Sequence, residues 1–371
     1  MKTYLLLLLL LVLGLQVSAT FKICAFNIKS FGEAKASNKK IMGVLVKILS
    51  RCDISVIQEV RDSKGEAVPA LVNELNRLDG VHHYQHLESK RLGKNSYKEQ
   101  IVFIYRADTV KVLDWYQYVE DHPDHPEAFA REPFAVRFHS PTTVIKDFAL
   151  MSHHTCPSRA ASEITRLLQV MLQVKSRWKI ESLMLLGDLN AACGYVTGEE
   201  WQSIKHQSSG TFHWLIGDKD DTTVKEKTHC AYDRIVVHGE ELLKGIVPAS
   251  AKPFNFKKKL GLSEEAVGLV LLLWTHTELM NSPFHGQISC QELGLSTFSF
   301  PWSLEVLPHG QISCQALGLS TFSFGAQSHS RFVKKTFIKC FPTALNCTGA
   351  VLSQPKLHKT LVFLSYLKRR I

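Results

Sequence analysis

Six polar residues sit at the ends of short apolar runs, and together they offer oxygen ligands and a titratable imidazole. Asn27 ends the run in CAFNI, and Glu59 ends the run in VIQEV. Asp188 and Asn190 follow Leu183–Leu186 in LLGDLN, and Asp233 opens the run in CAYDRI. Hard oxygen donors gathered from several strand ends suit Mg²⁺, which takes few protein ligands and keeps several waters. His154, in MSHHTCP, follows a further apolar run and could serve as general acid or base near neutral pH. Singly, each residue has a plainer explanation, since QE, GD and DR pairs are common at strand ends and a lone histidine is more often structural. The ordered set is the stronger signal.

Such a set needs strands to carry it. Lys22–Asn27, Ile54–Gln58, Ile101–Tyr105, Phe148–Ser152, Leu183–Leu186 and Arg234–Val237 are compact apolar runs that predict buried strands. Asn38–Ser50 places Ile41, Leu45, Ile48 and Leu49 at helical spacing, and Ser162–Trp178 does the same with Ile164, Leu167, Leu168, Met171 and Val174. Strands mixed with helices from Phe21 to about Phe256 predict an α/β body whose loops carry the chemistry.

The chain has 371 residues, 45% hydrophobic and 21% charged, which excludes collagen-like, mucin-like and wholly disordered classes. Its formal charge of +10 is unevenly spread. Residues 20–266 carry 34 Lys and Arg against 31 Asp and Glu, and residues 267–371 carry 9 against 3, so bulk basicity says little about the body's partners. Met1-Lys2, the apolar run Leu5–Leu15 and Val17-Ser18-Ala19 predict a secretory signal peptide over residues 1–19, cut after Ala19. No later run is long enough to span a bilayer, so a secreted, extracellular protein is expected. In that compartment the 9 cysteines tend to pair, and an odd total leaves at least one thiol unpaired or intermolecular. Cys24 and Cys52 each lie by a predicted strand, Cys193 and Cys230 flank candidate site loops, and the other five have no evident partner.

After Ala266 the chain changes character. His285–Phe300 and His309–Phe324 are 16-residue copies differing at one position. Two near-identical copies are too few to stack a solenoid core, so residues 267–371 are expected to form an atypical, disordered or artefactual tail.

CAFNI, ILSRCDISVIQEVRDS, RLGKNSYKEQ, FAREPFAVRF, LLGDLNAACGYV, FHWLIGDKDDTTV, THCAYDRIVVHG and VPASAKPFNF together resemble the deoxyribonuclease I family of the endonuclease/exonuclease/phosphatase superfamily. The likeness runs from Phe21 to about Ala266, with wording nearest the gamma-type members. It implies a two-sheet sandwich flanked by helices, acting as a monomer on DNA with Mg²⁺ or Mn²⁺. By this resemblance Asn27, Glu59, Asp188 and Asn190 would hold or orient the divalent ion, and His154, oriented by Glu99, would exchange a proton at the scissile phosphate. Asn95 and Tyr97 would contact the sugar-phosphate backbone, Arg131 would bind phosphate, and Arg61 would enter the minor groove. Such contacts suit low sequence specificity. The resemblance also implies disulfides Cys193–Cys230 and Cys24–Cys52. Structural Ca²⁺ would sit at Asp221, Thr222, Thr223 and Thr228, in a loop longer and more basic than the calcium-binding form, with Phe129 and Glu132 marking a weaker second match. Histidines 82, 83 and 86, and the His122/His125 pair, are read as surface loop residues, and Lys257–Lys259 as a solvated run.

The likeness breaks where the family carries a Ser-Asp-His-Tyr/Phe-Pro-Val-Glu strand, whose histidine would pair with the carboxylate matching Asp233. Here Leu262-Ser263-Glu264-Glu265-Ala266 is followed by Val267–Trp274, and only Thr275-His276-Thr277 offers an imidazole. A terminal core strand is expected to be lost, leaving its neighbour's edge exposed, unless Val267–Leu273 pairs in its place. Three activities follow: a secreted endodeoxyribonuclease yielding 5′-phosphorylated oligonucleotides, an impaired member that binds DNA or a protein, and a lipid or inositol-phosphate phosphodiesterase. The last is disfavoured by the nuclease form of NSYKEQ and FAREP.

Overall fold

The computed structural model describes residues 20–93, 96–119, 128–270, 273–281, 302–306, 312–316 and 321–324. The predicted signal peptide, Asn95, His122 and His125 lie outside them, as do the first repeat copy and the Asn346-Cys347-Thr348 sequon.

Each predicted strand is present and each extends by a few residues. The first sheet contains β1 (Phe21–Phe31), β2 (Ile54–Val60), β3 (Tyr84–Glu88), β4 (Gln100–Arg106), β11 (Lys252–Pro253) and β12 (Leu273–Leu279), in the order β11-β12-β1-β2-β4-β3. The second contains β5 (Lys111–Gln117), β6 (Phe134–His139), β7 (Asp147–Ser152), β8 (Leu183–Asp188), β9 (His213–Trp214) and β10 (Asp233–His238), in the order β5-β6-β7-β8-β10-β9. Each sheet holds one parallel pair, β1–β2 and β7–β8, while its other ladders are antiparallel. A parallel pair needs a long crossover. In the first sheet this is α1 (Glu33–Ala36) and α2 (Lys39–Leu49), with Asn38 capping α2 through the Lys40 and Ile41 N–H groups. Beyond β2 lies α3 (Ala67–Asp79), and the second crossover is α4 (Ala160–Trp178).

Strand periodicity sorts the core into layers. Along β8, Met184 and Leu186 face the space between the sheets, with Ile23, Ala25, Val56, Phe103 and Phe138. Leu183 and Leu185 face outward onto Ile164, Leu167 and Met171 of α4. On the other side, Phe26, Ile28 and Ile57 pack against Leu45 of α2 and Leu71 of α3. The result is a four-layer sandwich, helix–sheet–sheet–helix. Cys24 and Cys52 lie at disulfide distance, with Cα atoms 6.2 Å apart, as do Cys193 and Cys230 at 6.0 Å. Among the described residues no helix is long and apolar enough to cross a membrane.

Following α5 (Gly198–Ser208), α6 (Glu240–Gly245) and α7 (Phe256–Leu260), the C-terminal segment departs from the sequence expectation. Val267 lies in α8 (Glu264–Val270) and packs into the helical side of the first sheet, so Val267–Leu273 does not supply the strand. Ser263 starts that helix: its hydroxyl accepts the Ala266 N–H at 3.2 Å and its carbonyl accepts the Val267 N–H at 3.0 Å. The strand is β12, whose Leu279, Thr277 and Thr275 pair with Phe21, Ile23 and Ala25 on the inter-sheet side. His86 lies within β3 and not in a loop, 3.3 Å from Glu88. A second unit contains β13 (Trp302–Val306), β14 (Ile312–Ala316) and β15 (Thr321–Phe324), an antiparallel sheet.

Because β12 covers the edge of β1, residues 20–285 should unfold in urea with the same stability as residues 20–371. A chain ending at 272 should lose at least about 3 kcal/mol, since burying Leu279 alone contributes about 1.5–3 kcal/mol and an uncovered edge strand invites aggregation. Equal stability of the two truncations would contradict the role given to β12.

Candidate active site

The site lies where β1, β2, β7, β8 and β10 bring one end of each sheet together, and a single buried amide sets their register. Gln58, fully buried on β2, donates through Nε2 to the His153 carbonyl at 2.6 Å and the Ser152 hydroxyl at 3.1 Å. Its Oε1 accepts the Asp188 N–H at 2.9 Å, so one side chain pins the ends of β7 and β8 to β2. Gly187 makes room for it. A Cβ there would fall 2.1 Å from Gln58 Nε2 and 2.8 Å from the His153 oxygen, and φ is +142°. Only glycine adopts that backbone without strain.

Beside Gln58, Glu59 has φ 59° and Asn190 has φ 47°. Left-handed non-glycine backbone is costly and clusters at functional sites. Asn27 joins the two halves: its Nδ2 donates to Glu59 Oε1 at 2.7 Å and Asp188 Oδ2 at 3.2 Å, while its Oδ1 accepts the Lys29 N–H at 2.8 Å. Asn27 therefore turns its nitrogen to the carboxylates, orienting them. Glu59 Oε2 accepts the Ser30 N–H at 3.1 Å, and Asp188 Oδ1 accepts that of Asn190 at 3.1 Å. The Asn190 amide donates to the Thr155 carbonyl at 3.1 Å, which leaves its oxygen turned away from that bond.

His154 closes the other side. Its Nδ1 lies 2.7 Å from Glu99 Oε1, and its Nε2 is 3.8 Å from Asp188 Oδ2. Burial favours the neutral imidazole, but Glu99, and then Asp188, outweigh it and raise the pKa above 6.5. Burial likewise acts to raise the Glu99 carboxyl, and His154 and Arg131 bring it below its usual range. Arg131, 9% exposed, donates Nε to the His154 carbonyl at 2.9 Å and sits 3.3 Å from Glu99, while its Nη2 has no hydrogen-bond partner among the described residues. The Arg61 guanidinium lies 4.0 Å from the ring centroid of Tyr97, which is 43% exposed, so the two form an open stacked pair.

Asp233 faces Asp188 across the β10–β8 ladder and is fully buried, yet neither carboxylate oxygen has a hydrogen-bond partner among the described residues. Burial and the Asp188 charge push its pKa well above the carboxylate range, against the pull of Arg234. Burial also raises Asp188, opposed by His154. His276 does not serve Asp233. The β12 register sets it opposite Cys24, on the helix side of the sheet, where its ring centroid lies 6.4 Å from that of Phe254. Burial, then Lys22 and Arg51, lower its pKa to about 4.

Three carboxylates therefore stand at this end of the sheets: Asp188 and Asp233, both with raised pKa values and the latter without hydrogen-bond partners among the described residues, and Glu59, held by Asn27. Among the described residues no group of three or more His, Cys, Asp or Glu forms an all-protein cage. Glu59 and Asp188 are carboxylates of the kind through which Mg²⁺ binds, one or two at a time with water and substrate phosphate. In the loop expected to hold Ca²⁺, Asp221 lies 2.8 Å from His229 and 2.6 Å from the Thr223 hydroxyl, whose single proton is shared between Asp221 and the Thr228 carbonyl. Thr222 accepts the Tyr232 and Asp233 N–H groups instead. Phe129 packs against Tyr118 and His153, and the Glu132 carbonyl accepts from Gln117. Lys257 is not a free solvated cation, since it pairs with Glu226 and Glu264. Gln58, His153 and Glu163 escaped the sequence reading; a glutamine inside VIQEV was the one visible sign.

The sequence pattern of the Endonuclease/Exonuclease/phosphatase family matches residues 24–250. Over 252 residues the chain is 49% identical to Deoxyribonuclease-1 of Sus scrofa, covering 68% of this chain and 88% of that protein. It is 50% identical over 259 residues to Deoxyribonuclease-1 of Mus musculus, with 70% and 90% covered. Identity to Deoxyribonuclease gamma of Homo sapiens is 44% over 260 residues, with 70% and 85% covered. A solved endonuclease/exonuclease/phosphatase from Bacteroides vulgatus aligns with 71% of this chain and 99% of its own at 14% identity and a TM-score of 0.48. The chain belongs to the endonuclease/exonuclease/phosphatase family and, within it, to the deoxyribonuclease I family.

The His154–Glu99 geometry has a titration consequence. Because the folded His154 pKa is raised, its stabilisation is complete below about pH 6.5 and is lost as pH rises through the folded value. Because the Glu99 pKa is lowered, its share is present above the unfolded carboxylate value and is lost as pH falls through the folded one. Glu99→Gln should lower the His154 pKa by about one unit or more, read from the imidazole C2–H resonance in EDTA. An unchanged titration would show that Glu99 does not control this imidazole.

Proposed function

We propose that the chain is a secreted, divalent-cation-dependent endodeoxyribonuclease of low sequence specificity that leaves 5′-phosphorylated products. The observation that carries this reading is the convergence of Glu59, Asn27 and Asp188, joined by hydrogen bonds, with His154 Nε2 3.8 Å from Asp188, in a chain 44–50% identical to proteins named deoxyribonucleases. Signal-like residues 1–19 and the two cysteine pairs agree with an extracellular setting.

Glu59 and Asp188 would hold a divalent cation, with Asn190 beside them, and the ion would supply Lewis-acid stabilisation of charge on the scissile phosphate. Asn27 fixes the spacing of those carboxylates. His154 Nε2 faces the cluster, and Glu99 raises its pKa against the effect of burial, favouring the charged form that would protonate the leaving oxygen. Glu99 holds the opposite ring nitrogen, fixing the tautomer and orientation. Arg131, held beside the His154 carbonyl and Glu99, would bind a phosphate oxygen. Arg61, stacked on Tyr97, would follow the minor groove, with Asn95 on the neighbouring backbone. Contacts of this kind position a duplex without reading its sequence.

One observation favours a second reading. The Asp233 carboxylate has no imidazole partner among the described residues, and β12 presents Thr275 on the inter-sheet side. Without that second acid or base, the chain would bind DNA or a protein and cut slowly or not at all.

Nicking of supercoiled plasmid by residues 20–371 with Mg²⁺ decides between them. The nuclease reading expects cleavage that EDTA abolishes and that His154→Ala slows by about 10²–10⁴-fold. A folded protein that leaves the plasmid intact while still binding it would establish the second.

A further inference from the structure

Glu163 lies in the first turn of α4, away from the cation cluster, and its side chain is 0% exposed. Its carboxylate is fully engaged. Oε1 accepts the Ala130 N–H at 3.0 Å and lies 3.2 Å from Arg159 Nη2. Oε2 accepts the Cys156 N–H at 2.9 Å and lies 3.0 Å from His153 Nε2. These partners come from two loops, the FAREP loop bearing Arg131 and the segment bearing His154. Ala130 adjoins Arg131 in the chain, and His153 adjoins His154. Arg131 in turn donates to the His154 carbonyl.

A buried carboxylate carries a desolvation cost of several kcal/mol, and well-packed apolar residues often replace buried ion pairs with no loss of stability. Retaining the charge here is best explained by geometry. Two backbone N–H groups and one imidazole converge on it, so the relative placement of the two loops is set to within hydrogen-bond tolerance.

We propose that Glu163 is a positioning residue for phosphate recognition: by clamping Ala130 and Cys156 it aims the Arg131 guanidinium at a phosphodiester oxygen of the bound nucleic acid. This rests on the reading of Arg131 as the phosphate ligand.

The test is a double-mutant cycle on residues 20–371 in EDTA, reading the affinity for a short fluorescent DNA duplex at low salt, with thermal unfolding alongside. Arg131→Ala and Glu163→Gln should each weaken binding by about 5- to 20-fold, and the double variant should bind no more weakly than Arg131→Ala alone. With Mg²⁺, Glu163→Gln should raise KM more than it lowers kcat. A purely structural carboxylate would give a loss that adds in full to that of Arg131→Ala, or none, and either overturns the proposal. If neither single variant weakens binding, the phosphate reading of Arg131 fails; if only Arg131→Ala does, Glu163 alone is misassigned. Should Glu163→Gln unfold, Glu163→Asp keeps the charge and retracts it by one methylene, and the same cycle applies. Unfolding of both assigns Glu163 to stability alone and overturns the proposal.

Discussion

Gln58 spans the gap between the two sheets with three hydrogen bonds, to Ser152, His153 and Asp188. Apolar side chains hold the sheets together, but hydrophobic contact is non-directional and fixes no register between them. A buried amide is directional, and leaving its partners unsatisfied costs about 1–3 kcal/mol each. Glu59 follows Gln58 directly, Asp188 supplies the N–H that Gln58 accepts, and His154 follows the bonded carbonyl. Each half of the cluster is therefore placed relative to the other by bonds one residue away. Gly187 shows the same constraint from the opposite side, since a Cβ there would collide with the Gln58 amide.

The C-terminal departure separates architecture from chemistry. β12 pairs with β1 through seven registered positions, so the sheet is covered and its inter-sheet side filled by Thr275, Thr277 and Leu279. Backbone pairing tolerates almost any strand-compatible sequence, whereas proton transfer needs one imidazole at one place. His276 is one residue out of phase with the inter-sheet face, and in a strand one residue reverses the face. Asp233 and Thr275 Oγ1 are left buried without hydrogen-bond partners among the described residues.

Much of this was legible in the residues because strand ends carry the chemistry. VIQEV and LLGDLN each join an apolar run to a polar terminus, and the strands formed with their polar residues at the site. The helix over residues 160–178 was equally plain from its apolar spacing. Val267–Leu273 was not, because a short apolar run suits a buried helix as well as a strand, and the helix start at Ser263 decided it. Edge strand β5, KVLDWYQ, lacks a clean alternation since much of it is exposed. Helix α3 carries Pro69, a breaker in a helix interior that is tolerated in the first turn. The Glu163 clamp is a long-range pairing of a helix carboxylate with two loops, and no local spacing encodes it.

The central claim is that the Gln58 amide, acting between the sheets, assembles the cation-binding cluster. Calorimetric titration of Mn²⁺ into residues 20–371 and into a Gln58→Met variant, with near-ultraviolet circular dichroism to verify folding, tests it directly. The account predicts that the folded variant binds Mn²⁺ at least about 10-fold more weakly. Unchanged Mn²⁺ affinity in the folded variant would contradict it.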